Sequence, residues 1–279
     1  MGKRETMKIK FLGTSASEGY PALFCECENC RRARELGGRN IRTRSSVLID
    51  DEFLIDLPPE ILLKIQLLGI SLSKIRILAI THTHIDHFAY TELSYRKKPF
   101  SLNELDYLNV IGNPTVIRTI RDFFKEKTNE LKLNLVEVYP FEKYEINNYV
   151  IFPVKAVHIT NFEDEIALNY VIQKGDKTIL YGCDTGPYFK DTLNFLKQFK
   201  FDTIIFESTL CYGEWDYHMS FNDLEVFRKW LETNNILKNN GKMYVTHFSH
   251  YMCPLHEELI KIFEPKGIIP AYDFLDIEV

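Results

Sequence analysis

The apolar run Ile75 to Ile80 leads directly into Thr81-His82-Thr83-His84-Ile85-Asp86-His87, and this junction constrains the chain more than any other stretch. A short apolar run of this kind reads as a buried strand, which puts the histidines on the loop at its end. In extended backbone alternate side chains point the same way, so His82 and His84 can meet one ion while Asp86 and His87 turn toward a second. Such a set suits a dinuclear centre, and imidazole with carboxylate accepts zinc, manganese or iron. The alternative is a polar, solvated loop, yet three of the chain's eight histidines sit here beside an aspartate.

A metal site needs ligands from elsewhere. His158 follows the apolar segment Tyr149 to Val157, Asp184 follows the run from Thr178, and His247 follows Met243 to Val245. Each falls just past an expected strand, where α/β sheets place functional groups. Taken singly, each could be a satisfied histidine or a capping aspartate; their order behind the first motif favours the joint reading. Asp56 ends an expected hairpin, Ser46 to Ile49 and Phe53 to Ile55, turning at Asp50-Asp51-Glu52.

Further strands are expected at Met7 to Leu12, Leu108 to Ile111, Leu133 to Val138, Ala167 to Ile172 and Thr203 to Phe206, with a tight turn at Gly175-Asp176. Helical patterns lie at Pro58 to Leu68, with Ile61, Leu62, Ile65 and Leu68 on one apolar stripe stopped by Gly69, and at Pro114 to Lys127, Tyr188 to Phe199, Phe221 to Leu231 and Leu255 to Phe263. Ser220 and Asp223 have capping-box spacing, and Asn234 to Gly241 reads as an exposed turn. Hairpins mixed with strand–helix alternation fit an α/β sandwich of two mixed sheets flanked by helices better than one doubly wound sheet. With 45% hydrophobic residues in 279 positions, a single domain spanning 1–279 is expected.

A net charge of −5 argues against gripping long nucleic acid through many phosphates, whereas a metal site could still draw a small anion. No apolar run is long enough to span a bilayer, so no membrane role and a cytoplasmic location are expected. Gly2 and Thr6 match the loose myristoylation pattern, and Met7 is an alternative start. The sequence is compatible with a homodimer.

Three of six cysteines crowd into Cys25-Glu26-Cys27-Glu28-Asn29-Cys30, a clustering that suggests metal before disulfide. Three thiolates cannot close a tetrahedral zinc alone, so a fourth ligand must come from afar; three unliganded thiols on a loop are the alternative. Arg42 and Arg44 could touch a phosphate, though solvated arginines explain them as well.

The motif His82-x-His84-x-Asp86-His87 followed by His158, Asp184 and His247 resembles the ordered signature of the metallo-β-lactamase superfamily, over nearly the whole chain. That resemblance implies an αββα sandwich in which His82, His84 and His158 hold one divalent cation and Asp86, His87 and His247 the other. Asp184 would bridge them, with Asp56 behind the ligands. Two cations sharing a water lower its pKa and hold it as a bridging hydroxide, a step in which Asp86 also counts as catalytic. Glu207-Ser208-Thr209, His218-Met219-Ser220 and Thr246-His247-Phe248-Ser249-His250 resemble the phosphodiesterase branch, which includes tRNase Z and the PhnP-type enzymes. By that likeness His218 protonates the leaving oxygen, or only caps the helix at Phe221, and Glu207 orients an active-site histidine. The short stretch between His158 and Asp184 leaves no space for a tRNA-binding arm. Gly13-Thr14-Ser15, Pro21 and Cys25-x-Cys27-x-x-Cys30 then Arg31-Arg32-Ala33-Arg34 resemble the PhnP-type amino-terminal region. That likeness implies a structural zinc loop at about 13–36 with His250 as fourth ligand, Cys253 and His256 being the fallbacks.

These features lead to a metal-dependent phosphodiesterase, a phosphoric diester hydrolase acting on small, including cyclic, phosphodiesters. It would carry two active-site cations (zinc or manganese, iron also being accepted) and one structural zinc. The alternatives are a PqqB-like protein of cofactor biosynthesis and a non-catalytic metal- or ligand-binding protein of the same fold. Asp56-Leu57-Pro58-Pro59 departs from the family, which places glycine or alanine soon after the aspartate, and so puts the pocket's shape in question.

Overall fold

A computed structural model describes residues 6–279; the myristoylation pattern at Gly2 lies outside them. The first sheet is built from β1 (Lys8–Gly13), β2 (Ser46–Ile49), β3 (Phe53–Ile55), β4 (Ile77–Ala79), β5 (Leu108–Gly112) and β6 (Leu133–Glu137). The second contains β7 (Tyr144–Ile146), β8 (Tyr149–Lys155), β9 (Leu168–Lys174), β10 (Lys177–Gly182), β11 (Phe201–Glu207), β12 (Leu237–Thr246) and β13 (Ile268–Pro270). The last strand, β14 (Asp276–Glu278), returns to pair antiparallel with β1. Each sheet is mixed and seven-stranded, ordered β14-β1-β2-β3-β4-β5-β6 and β13-β12-β11-β10-β9-β8-β7.

Strand alternation gives each sheet two apolar faces. Phe11, Val47, Ile55 and Ile77 from one sheet and Tyr149, Tyr170, Ile179 and Tyr181 from the other close a common buried core. On the outer face of the first sheet, Leu48, Leu54 and Val110 pack beneath α2 (Ile61–Leu68) and α3 (Pro114–Phe124). On the second, Leu180, Ile204 and Phe206 meet α5 (Phe221–Thr233) and α6 (His256–Phe263), with α4 (Lys190–Leu196) beside them. The result is the αββα sandwich. Fully burying one such side chain is worth roughly 1.5–3 kcal/mol, so the three clusters dominate the fold's stability.

Local signals behave as their chemistry requires. Asp50 and Asp51 take the left-handed conformation that the β2–β3 turn demands. Ser220 and Asp223 form a reciprocal capping box at α5, and Gly69, at φ 64°, ends α2. Three sequence readings are corrected. The helix expected from Pro58 starts at Ile61, and its inner face carries Lys64 rather than Leu62, which is exposed. Lys64 Nζ donates to the carbonyl of Arg44. The expected turn at Asn234 to Gly241 is largely strand, because Leu237 pairs with Phe201 and extends β12. Helix α1 (Glu28–Leu36) replaces part of the expected cysteine loop.

Candidate metal centre

The ends of β3, β4, β8, β10, β11 and β12 lie at one rim of the sandwich, and the sequence places a functional side chain just beyond or at each. Asp56, Asp184 and His247 all have positive φ, at 63°, 57° and 60°. For residues other than glycine this conformation is costly and gathers at functional sites. Here it turns three side chains inward immediately past their strands. Gly186 lets the Asp184 loop approach the His218 loop, since a Cβ there would overlap the Asp216 carbonyl oxygen.

The structure brings His82, His84, His158 and Asp184 into one cluster and Asp86, His87, Asp184 and His247 into another. In the first, His84 Nδ1 lies 2.9 Å from His82 Nε2 and 3.2 Å from His158 Nε2, while Asp184 Oδ2 is 3.3 Å from both Nε2 atoms. In the second, His87 Nε2 is 3.1 Å from Asp86 Oδ2 and 3.2 Å from Asp184 Oδ2. Asp184 Oδ2 also lies 3.8 Å from His247 Nε2, so one carboxylate oxygen faces both groups.

These atoms are short of partners. His87 Nε2, His247 Nε2 and Asp184 Oδ1 are buried without a hydrogen bond, an arrangement that costs roughly 1–3 kcal/mol per group unless something else satisfies it. Burial and the neighbouring charge of His87 push His82 down to about 3, and burial lowers His84 and His158 too. Burial opposes the charge on His87, but the Asp86 and Asp56 carboxylates hold its pKa well above the usual histidine range. Asp184 stays well below the carboxylate range despite burial, because His158 and His247 face it. The neutral imidazoles of His82, His84 and His158 beside ionised carboxylates are the protonation states that a divalent cation requires of its ligands, and a cation at the second cluster would take the place of the proton that Asp86 and Asp56 hold on His87. The residues present therefore fit two such ions.

The supporting contacts are equally ordered. Asp56, fully buried, takes hydrogen bonds from the backbone N–H and hydroxyl of Thr81 at 2.9 and 3.0 Å and lies 2.8 Å from His87 Nδ1. Thr81 and Thr209 hydroxyls lie 3.0 and 2.8 Å from the Nδ1 atoms of His82 and His247, leaving each Nε2 for the cluster. Sequence reading missed Glu165. This buried carboxylate accepts from Thr83 N–H at 2.9 Å, Thr83 hydroxyl at 2.6 Å and Asn113 Nδ2 at 3.0 Å. It thereby fastens the backbone between His82 and His84 to the loop that carries His158.

His218 stands beside both clusters. Its Nδ1 lies 2.7 Å from Glu207 Oε1 and 3.2 Å from Asp184 Oδ1. Burial disfavours the imidazolium, but Glu207 outweighs it and raises the pKa to about 9. Glu207 is fully buried and also accepts backbone bonds from Thr185, Thr209 and Met219 at 2.9, 2.7 and 3.2 Å.

Cys25, Cys27, Cys30 and His250 form a third cluster. His250 Nδ1 lies 3.5 Å from Cys27 Sγ and 3.3 Å from Cys30 Sγ. Helix α1 positions Cys30 in its first turn, with Cys30 and Ala33 on its buried side. Three thiols and an imidazole are a donor set of zinc type. The fallback residues lie elsewhere: Cys253 is joined to Cys211 by a disulfide, and His256 Nδ1 accepts from Arg42 at 2.9 Å. Arg42 is buried rather than solvated, its guanidinium over the Phe248 ring, and Arg44 pairs with Glu60 at 2.7 Å. None of Leu57, Pro58 and Pro59 lines the cavity over the clusters; the Leu57 side chain lines a separate apolar cavity, while its backbone N–H donates to the His87 carbonyl at 2.8 Å and so ties this unusual run to the ligand loop.

Fold and site together define an αββα scaffold that carries two adjacent His/Asp clusters suited to divalent cations. The profile of the beta-lactamase superfamily domain matches residues 53–248, and the chain belongs to that family, with the metallo-β-lactamase architecture. A solved diphosphatase of the PhnP family is similar at 21% identity and TM-score 0.76, over 99% of this chain and 98% of that one. PqqB from Methylobacterium extorquens is similar at 16% identity and TM-score 0.74, over 98% and 100%. Human tRNase Z, short form, is similar at 17% identity and TM-score 0.67, over 97% and 98%. An octanoyltransferase of Porphyromonas gingivalis is 25% identical over 97% of this chain and 51% of its own length. The chain thus spans about half the length of the curated relative it matches. Among the described residues, no helix is long and apolar enough to cross a membrane.

Proposed function

We propose that the chain is a metal-dependent phosphodiesterase acting on small phosphodiesters, cyclic ones included. The observation that carries this reading is the Glu207–His218 pair, 2.7 Å apart and bordering the shared Asp184. When bound, two divalent cations supply an activated water and positive charge for a phosphoryl oxygen. His82, His84 and His158 would hold one, Asp86, His87 and His247 the other, and Asp184 both. Glu207 keeps His218 protonated at Nδ1, which leaves Nε2 to give its proton to the departing alkoxide. Asp86, which lines the cavity and despite its burial is kept ionised by His87, would orient the attacking water, whose proton passes to solvent because cation binding lowers its pKa. Cys25, Cys27, Cys30 and His250 would hold a structural zinc. His250 lies three positions after His247, so that zinc would brace the catalytic loop.

The test is turnover of an activated aryl phosphodiester and of 2′,3′-cyclic nucleotides by metal-free protein and after adding zinc or manganese. An octanoyl thioester serves as a comparison substrate. Metal-dependent cleavage of the diesters is expected. Cleavage of the thioester alone, or no turnover at all, would overturn the reading.

A further inference from the structure

The cavity over the clusters, about 330 Å³ in volume, has two features that the hydrolytic chemistry leaves unused. Its lining includes large side chains that remain exposed: Trp215 at 51%, Ile159 at 48% and Tyr251 at 58%. Trp215 comes from the loop before α5 and Tyr251 from the loop after β12. Each ring is propped from one side, Trp215 by His218 at 5.4 Å between centroids and Tyr251 by His250 at 5.5 Å. An aromatic side chain held in place yet half open to solvent at a pocket mouth is a surface for a flat ligand group.

The second feature is charge. Among the described residues, no lysine or arginine lines this cavity, whereas Glu18 does, its Oε1 accepting from Ser249 hydroxyl at 2.7 Å. A substrate carrying a second phosphate would meet that carboxylate with no lysine or arginine to offset it, the His218 imidazolium being already paired with Glu207 at 2.7 Å. A sugar hydroxyl or base amine, by contrast, can donate to it. The volume accommodates one nucleoside and one phosphate.

We infer that the site selects nucleoside phosphodiesters with a single phosphate, the base lying against Trp215 and Tyr251 and Glu18 screening out polyanions. This rests on the phosphodiesterase reading above. Stacking of a base on an aromatic side chain is worth enough that its removal lowers affinity roughly tenfold.

Two measurements test it. With Trp230→Phe, Trp215 becomes the sole tryptophan of the two in the chain, and its fluorescence in metal-free protein is followed during titration with adenosine 3′-monophosphate and with ribose 5-phosphate. Quenching by the nucleotide alone is expected. In metal-loaded protein, kcat/KM for adenosine 2′,3′-cyclic phosphate is divided by that for the base-less 1-O-methylribose 2,3-cyclic phosphate. Trp215→Leu and Tyr251→Leu should each lower this ratio about tenfold. A wild-type ratio near one, or one unmoved in both variants while diesters are still cleaved, overturns the inference and leaves the phosphodiesterase reading intact. Nucleotide quenching without turnover of any diester overturns the phosphodiesterase reading and keeps base recognition at the rim.

Discussion

Replacing Glu207 by glutamine changes one atom of the side chain and removes its charge, yet it should damage both the fold and the chemistry. The carboxylate faces four donors: His218 Nδ1 and Thr185 N at Oε1, Thr209 N and Met219 N at Oε2. Whichever way the amide turns, its NH2 confronts two of them. Two buried donors left unsatisfied at roughly 1–3 kcal/mol each make the expected loss of stability about 2–6 kcal/mol. His218 suffers separately. Glu207 raises its pKa to about 9, so the imidazolium is retained at neutral pH and lost as pH rises through that value. Without the carboxylate the pKa should fall toward the ordinary 6.5, roughly two units. The assay is kcat against pH for a diester with an alkyl leaving group, beside a thermal melt. The basic limb should move down by about two pH units, and Tm should drop by roughly 5 °C or more. A basic limb left in place, with an unchanged melt, would refute the assignment of Glu207 as the group that holds and charges His218.

Two further perturbations probe residues that sequence reading did not assign to the centre. Glu165→Ala should free Thr83 and weaken cation binding at the His82–His84–His158 cluster by roughly 10–100-fold, with Glu165→Gln milder; a chelator-competition titration reads this, and unchanged affinity in both variants argues against it. His256 is held neutral, its pKa pushed to about 3 by burial and then by Arg42 and Arg39. A depressed folded-state pKa means that this stability is full above about 6.5 and drains as pH falls toward 3. Between pH 6.5 and 5 wild type should lose roughly 1–2 kcal/mol more than His256→Gln in urea unfolding, and equal losses would contradict the assignment.

What could be read in advance was whatever local chemistry announces. Asp56, His158, Asp184 and His247 were visible because donor residues at strand ends are conspicuous, and the β2–β3 turn because consecutive aspartates tolerate positive φ. Glu165 was invisible, since its partners Thr83 and Asn113 lie 82 and 52 positions away and an isolated glutamate looks solvated. The Cys211–Cys253 pair was hidden for the same reason, at a separation of 42. Strand β14 lacks an apolar signature because it is a half-exposed edge strand, held by pairing with β1 rather than by its own pattern. Helix α1 was masked by its cysteines: they read as a metal loop, although Glu28 near its start and Arg34 near its end suit the helix dipole. Lys64 was lost in an apolar stripe because its burial depends on the Arg44 carbonyl from another segment.

The phosphodiesterase assignment depends most on His218 as the proton donor. The direct measurement is the dependence of log kcat on leaving-group pKa, over a series of aryl and alkyl phosphodiesters, for metal-loaded wild type and His218→Ala. Wild type should show a shallow slope, while the variant should fall away steeply for alkyl leaving groups and stay close to wild type for nitrophenolate, which needs no proton. Two parallel lines, with equal losses across the series, would contradict it.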